Sequence, residues 1–203
     1  MKKILATLVA GLLISGSAMA DTGWLGSFVY LNDGGGDTYY DLNEATANPD
    51  FTGNLGTFNL GYTLWLNAEI NAWADSGDVF STFRAHYSIN GGAFQTLTVN
   101  QGDIFNTGGN NWRGLAMGGD LAGLGVGDHT IDVYLSRTHS WDGGSYTTYL
   151  ITTGDIGGGV DPGSTPPSGD FFSATFTVVP EPGTIALFGI GLAGLMVARR
   201  RRA

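Results

Sequence analysis

Tyr62-Thr63-Leu64-Trp65-Leu66-Asn67-Ala68-Glu69-Ile70-Asn71-Ala72-Trp73 alternates with a period of two. Tyr62, Leu64, Leu66, Ala68, Ile70 and Ala72 share one face, and Thr63, Asn67, Glu69 and Asn71 share the other. Successive side chains of a strand point to opposite sides, so the pattern predicts a strand with one buried face. The same rhythm returns downstream, where Phe83, Ala85, Tyr87 and Ile89 alternate with Thr82, Arg84, His86 and Ser88. Asn90-Gly91-Gly92 tolerates positive φ and turns the chain into Phe94–Asn100 as a hairpin. Further strands are expected at 24–31, 130–138, 145–152 and 171–179. Helical periodicity is nearly absent from 21–180; the one candidate, a turn or so near 115–124, is weakened by its glycines. Short strands joined by Gly, Asn and Asp predict an all-β fold, an antiparallel two-sheet sandwich with the jelly roll as one form of it.

Composition fits one such domain over 21–179. Apolar residues make up 42% and aromatics 12%, which argues against disorder despite 34 glycines. There is no cysteine, so the core must hold the fold without disulfides. Between 21 and 180 only Arg84, Arg113 and Arg137 are basic, against 17 acidic residues, a balance of −14. A body this acidic repels phosphate backbones, which excludes nucleic acid as a partner. Residues 154–170 hold six glycines and three prolines and are expected to form a long loop before the last strand.

Both ends of the chain read as targeting segments. Met1-Lys2-Lys3, the apolar run Ile4–Ile14 and the small-x-small Ala18-Met19-Ala20 predict a signal peptide over 1–20, cleaved after Ala20. At the other end, Val179-Pro180-Glu181-Pro182 precedes an apolar stretch over 183–198 and the block Arg199, Arg200, Arg201 and Arg202. The prolines keep the motif extended, the apolar stretch can enter a bilayer, and the arginines stay cytoplasmic. Sixteen helical residues reach about 24 Å against a hydrocarbon core of about 30 Å, so a membrane helix over 183–198 would span it marginally. Residues 180–203 closely resemble the PEP-CTERM sorting signal, whose pattern is also catalogued as an ice-binding protein C-terminal domain. The body lacks the regular threonine ladder that ice binding would suggest. The resemblance implies export, a transient inner-membrane stage, and processing near Val179-Pro180-Glu181-Pro182 by an exosortase, a membrane peptidase. It further implies a destination at the cell surface or in the exopolysaccharide matrix of a biofilm.

Catalytic chemistry finds no signature. The three histidines, His86, His129 and His139, have no zinc spacing, and His86 reads as a solvated surface residue. No Gly-x-Ser-x-Gly elbow is present. Gly189-Ile190-Gly191-Leu192-Ala193-Gly194 mimics a dinucleotide fingerprint but sits in the apolar tail with no preceding strand. Asp33, Asp37 and Asp41 lie in and beyond a Gly-rich loop that offers oxygen ligands for calcium, though without EF-hand spacing; a plain acidic turn is the alternative. The tryptophans hint at binding. Trp65 and Trp73 join the polar face of their strand, and Trp112 and Trp141 read as lying in polar loops. Exposed tryptophan beside Asn and Asp suits a sugar ring, which stacks on the aromatic face and hydrogen-bonds at its edge; packing over the core is the alternative. The expected function is structural or glycan-adhesive, with extracellular polysaccharide as partner. A polysaccharide-active enzyme on a jelly-roll frame and a permanently inner-membrane-anchored periplasmic protein are the competing readings.

Overall fold

The computed structural model describes residues 22–42, 49–59, 64–75, 78–121, 123–141, 144–151, 171–180, 183 and 186–192. The expected signal peptide with Ala18 and Ala20, the 154–170 loop, Glu181, Pro182 and Arg199–Arg202 lie outside the described residues.

The quoted segment forms β5 (Trp65–Ala74), and it is the axis of the first sheet. One edge of β5 carries β9 (Asn111–Asp120). The other is shared by β2 (Phe28–Asn32) and the short β1 (Thr22–Trp24). Outside them lie β3 (Asp37–Asp41) next to β2 and β8 (Phe105–Gly108) next to β9. The second sheet repeats the plan around β10 (Gly127–Trp141), which pairs along one edge with β6 (Val79–Ile89). Its other edge is shared by β12 (Phe172–Val179) and β11 (Gly144–Leu150). The outer strands are β4 (Gly53–Asn59) and β7 (Gln95–Asn100).

The two inner faces meet in one core. Leu66, Ala68, Ile70 and Ala72 of β5 lie in the same buried cluster as Phe83, Ala85, Ile131, Val133, Leu135, Phe172 and Phe176. Each large side chain removed from water there contributes roughly 1.5–3 kcal/mol, which is how the fold dispenses with disulfides. The hairpin at Asn90-Gly91 forms as expected: both residues have positive φ (52° and 69°), and Gly92 N–H donates to Ile89 O at 2.9 Å.

Two expectations are corrected. The sandwich is mixed rather than wholly antiparallel, because β12 inserts between β4 and β10 and runs parallel to β4, with Ala174 opposite Gly53 and Val179 opposite Asn59. The all-antiparallel jelly roll therefore does not describe it. The doubtful helical turn at 115–124 is also replaced, since 111–120 is strand β9. Two of its glycines, Gly114 and Gly119, lie against side chains of the facing sheet. A Cβ on Gly114 would lie 2.8 Å from Phe83 Cδ2, and one on Gly119 would lie 2.8 Å from Leu66 O and 3.3 Å from Leu97 Cδ1. Glycine thus marks close packing here instead of a turn.

Arg137 ties the sheets together from the second into the first. It is fully buried, and its Nε donates to Thr148 Oγ1 at 2.8 Å and its Nη2 to Thr22 Oγ1 at 3.1 Å, while Nη1 donates to Gly23 O. The guanidinium also lies 4.6 Å from the Trp24 ring and 5.5 Å from Phe80. Burial lowers its pKa to about 9. Further along the chain, residues 186–192 are α-helical and expose Leu187, Phe188, Ile190 and Leu192. Among the described residues no helix is long and apolar enough to cross a membrane; the expected span over 183–198 extends beyond them.

Candidate functional site

Strand register sets out the outer face of the first sheet row by row. One row runs Asp37, Asn32, Trp65, Asp120; the next runs Tyr39, Tyr30, Asn67; a third runs Asp41, Phe28, Glu69, Leu115. Adjacent strands lie about 4.8 Å apart, so each row is a short bar of aromatic, amide and carboxylate groups. Opposite Asn67 the β5–β9 register slips, and the bulge is held by Gly118, whose φ of 94° favours glycine and whose N–H donates to Asn67 Oδ1 at 2.9 Å. Beside it Met117 stands 65% exposed.

These rows enclose an open depression of about 520 Å³ lined by Tyr30, Asn32, Asp37, Trp65, Asn67, Met117 and Gly118. That is within the range of roughly 300–1,000 Å³ typical of small-ligand sites. Trp65, 37% exposed, offers an aromatic face, and Tyr30 lies below the rim with its ring 4.9 Å from that of Tyr39. Asn32 Nδ2 donates to Asp37 Oδ1 at 2.6 Å, which fixes both polar groups at the edge. Burial raises the Tyr30 pKa first, and the charges of Asp37, Tyr39 and Glu69 raise it further, with Arg113 opposing. The phenol therefore remains a neutral hydrogen-bonding group. In the adjoining rows of the same face Arg113 Nη2 donates to Glu69 Oε2 at 2.6 Å, and Asn71 Nδ2 donates to Glu69 Oε1 at 3.1 Å. The arrangement can stack a flat apolar ring face and meet its polar edge with amides and a carboxylate.

Of the four tryptophans singled out in the sequence, Trp65 alone lines this depression. Trp73 shares its face but lies eight residues along the strand, about 26 Å away. There it packs across Gly23 on β1, where a Cβ would collide with the indole. Trp112 is corrected from loop to strand: it sits in β9 opposite Ala72 and packs inward, edge-on to Phe80 at 6.2 Å. Trp141 is likewise corrected, as the last residue of β10 in the second sheet, opposite Gly144. Asp33, Asp37 and Asp41 are not gathered together. Asp33 Oδ1 accepts from Gly35 N–H at 3.0 Å within the turn, Asp37 is exposed, and Asp41 is buried against residues 49–51. Among the described residues no three His, Asp or Glu side chains are placed to hold a metal ion.

Tyr30, Asn32, Asn67 and Met117 were not legible as site residues. Tyr30 and Asn32 belong to a strand whose partners on β5, Asn67 and Trp65, are more than 30 residues away. Met117 alternates outward with Leu115, but only the pairing of β9 with β5 sets it beside Asn67.

The outer face of the second sheet is built differently. His86 is half-buried there, a correction of the solvated surface residue expected from its neighbours. Its ring stacks on Tyr134 at 4.3 Å, and its two nitrogens hydrogen-bond Thr96 Oγ1 and Ser136 Oγ, each at 2.9 Å. Burial, with Arg84 adding to it, lowers the His86 pKa to about 4. Tyr134, itself buried, also packs on Phe94 (5.1 Å) and Phe171 (5.4 Å).

Comparison with known proteins bears on the tail alone. The family model of the PEP-CTERM protein-sorting motif matches residues 178–202. No curated protein and no solved structure matches the chain. The motif implies export, membrane passage through sorting and processing by an exosortase. Its first two residues, Val178 and Val179, are also the last of β12, so the sorting segment begins directly at the folded body.

Proposed function

We propose that this chain is an exported surface or matrix protein whose sandwich holds extracellular polysaccharide through the outer face of its first sheet. The role is adhesive: one side of the protein grips sugar chains while the sorting tail governs delivery. The observation carrying this reading is the depression around Trp65, where an exposed indole, two asparagines and a carboxylate converge on one open hollow. Sugars present that combination of needs, an apolar ring face and a hydroxylated rim. The sorting motif supports the location, since it implies passage to the outside where such polymers lie.

Two measurements test it. Glycan titration of the protein recovered from culture, with Trp65→Ala in parallel, should show binding that the variant weakens about tenfold; equal binding by both would remove the site. A product assay on the same mixtures should find the polymer uncut, and cleavage would convert the adhesive reading into an enzymatic one. For delivery, intact mass in hosts with and without the processing peptidase should show tail loss only where the peptidase is present. A full-length chain confined to the inner membrane in both hosts would establish the permanently anchored alternative instead.

A further inference from the structure

Resting on the glycan-binding reading, the charge around the Trp65 depression assigns a class of polymer to it. We propose that the site selects sugar chains carrying free amino groups, hexosamine polymers that are at least partly unacetylated, over neutral and acidic ones.

Among the described residues, those lining the depression include no base and one charged group, the carboxylate of Asp37. That carboxylate is exposed, and only its Oδ1 is engaged, with the Asn32 amide at 2.6 Å. A carboxylate accepts at about four lone-pair positions, so capacity remains for an incoming ammonium. The cation on the same face, Arg113, stands opposite Asn71, two rows along the sheet from Asn67, and is held there by Glu69 at 2.6 Å and the Phe105 ring at 5.9 Å. Across 21–180 there is no lysine, and 17 acidic residues face three arginines. A hollow lined by one sign of charge concentrates ligands of the other sign and repels like charge. A uronic-acid chain would have to set its carboxylates against Asp37 with no cation to receive them. A glucosamine unit stacked on Trp65 carries an ammonium at its rim, the part of the ring that the Asn32–Asp37 edge faces across the first row. Charge-assisted hydrogen bonds of this kind are roughly twice as strong as neutral ones.

The test uses the protein recovered from culture and three oligosaccharides of equal length, made of glucosamine, N-acetylglucosamine and a uronic acid. At low salt the glucosamine chain should bind about tenfold more tightly than the N-acetylated one. That preference should shrink as salt shortens the Debye length below about 10 Å. Asp37→Asn should bring the two affinities together by weakening the glucosamine chain far more than the N-acetylated one. Asp103→Asn removes the same charge from an exposed turn after β7, away from the hollow, and should leave the preference intact. Equal affinity for the amine and acetylated chains, tighter binding of the acidic chain, or an equal effect of Asp103→Asn would each overturn the proposal and leave the Trp65 site standing. Failure of all three chains to bind would instead remove the glycan reading beneath it.

Discussion

The first sheet leaves Trp65, Tyr39 and Met117 facing solvent around a hollow, whereas the second turns its aromatic and hydroxyl groups on one another. Both are built on one long central strand whose edge is shared by two partners, β1 and β2 on β5, β11 and β12 on β10. The difference lies in what the outward residues can reach. On the second face Thr138 meets Thr147 at 3.0 Å, Thr177 donates to Asp128 at 2.6 Å, and His86 is bonded at both nitrogens. Phe94 and Phe171 then pack on Tyr134. On the first face a bulge at Gly118 separates the rows, so Met117 and Trp65 stand apart over a gap. A sheet face saturated by its own contacts contributes stability, and one interrupted by a bulge keeps surface for a ligand.

The largest expected effect breaks the second face. Tyr134→Ala removes a buried ring that touches His86, Phe94 and Phe171, and should cost about 3 kcal/mol of stability, the low end of the range for deleting a buried aromatic. The denaturant midpoint should fall with an unchanged slope, and glycan affinity should hold. Loss of binding without loss of stability would reverse the roles of the two faces. Trp65→Ala is the converse experiment. It should reduce glycan affinity about tenfold, or about 1.4 kcal/mol, while shifting stability by about 0.5 kcal/mol, as a partly exposed surface residue does.

A pH titration sharpens the same contrast. The folded His86 pKa of about 4 lies below its ordinary value near 6.5, so the unfolded chain binds the proton more readily. Stability is free of this penalty above pH 6.5, declines as pH falls toward 4, and levels off below. Because His86 is only half-buried, solvent screening should hold the loss to roughly 1 kcal/mol. His86→Gln should flatten that part of the profile, as followed by thermal melts across the pH range. A variant that keeps the full slope would assign the proton to another group.

Sequence pattern revealed the strands whose inward residues are large. β5, β6 and β12 are regular alternations of apolar and polar residues, and the Asn90-Gly91 turn is written in its own chemistry. β9 escaped because its inward positions include Gly114, Ala116 and Gly119, which leave room for Phe83 and Leu97 from the facing sheet; that need exists only once the sheets are packed. The parallel insertion of β12 beside β4 is similarly non-local, joining residues more than 100 positions apart. The sorting tail was legible because its function resides in a contiguous segment. The depression was only partly so: Trp65 declared itself by standing in a polar row, but Tyr30, Asn32 and Met117 reach it through strand pairing.

The smallest effect examines whether the ion pair beside the hollow belongs with the self-satisfied contacts of the second face or with the open ground of the first. Arg113→Ala breaks the 2.6 Å contact to Glu69. Glu69 would not be stranded, because Asn71 Nδ2 still donates to its other oxygen at 3.1 Å. Arg113 is also 38% exposed, so water competes for its charge throughout. The expected loss is therefore about 0.5–1 kcal/mol, the ordinary worth of a surface pair, and it should diminish in 1 M salt as the Debye length contracts to about 3 Å. The Tyr134→Ala loss, a matter of packing, should not diminish in that way. Removing the guanidinium also leaves Glu69 less neutralised beside the hollow, so affinity for an amine-bearing sugar chain should stay level or rise slightly. A loss above 2 kcal/mol that persists in salt would mean that this end of the first face is locked like the second. The open ground would then be confined to the rows between Asp37 and Met117.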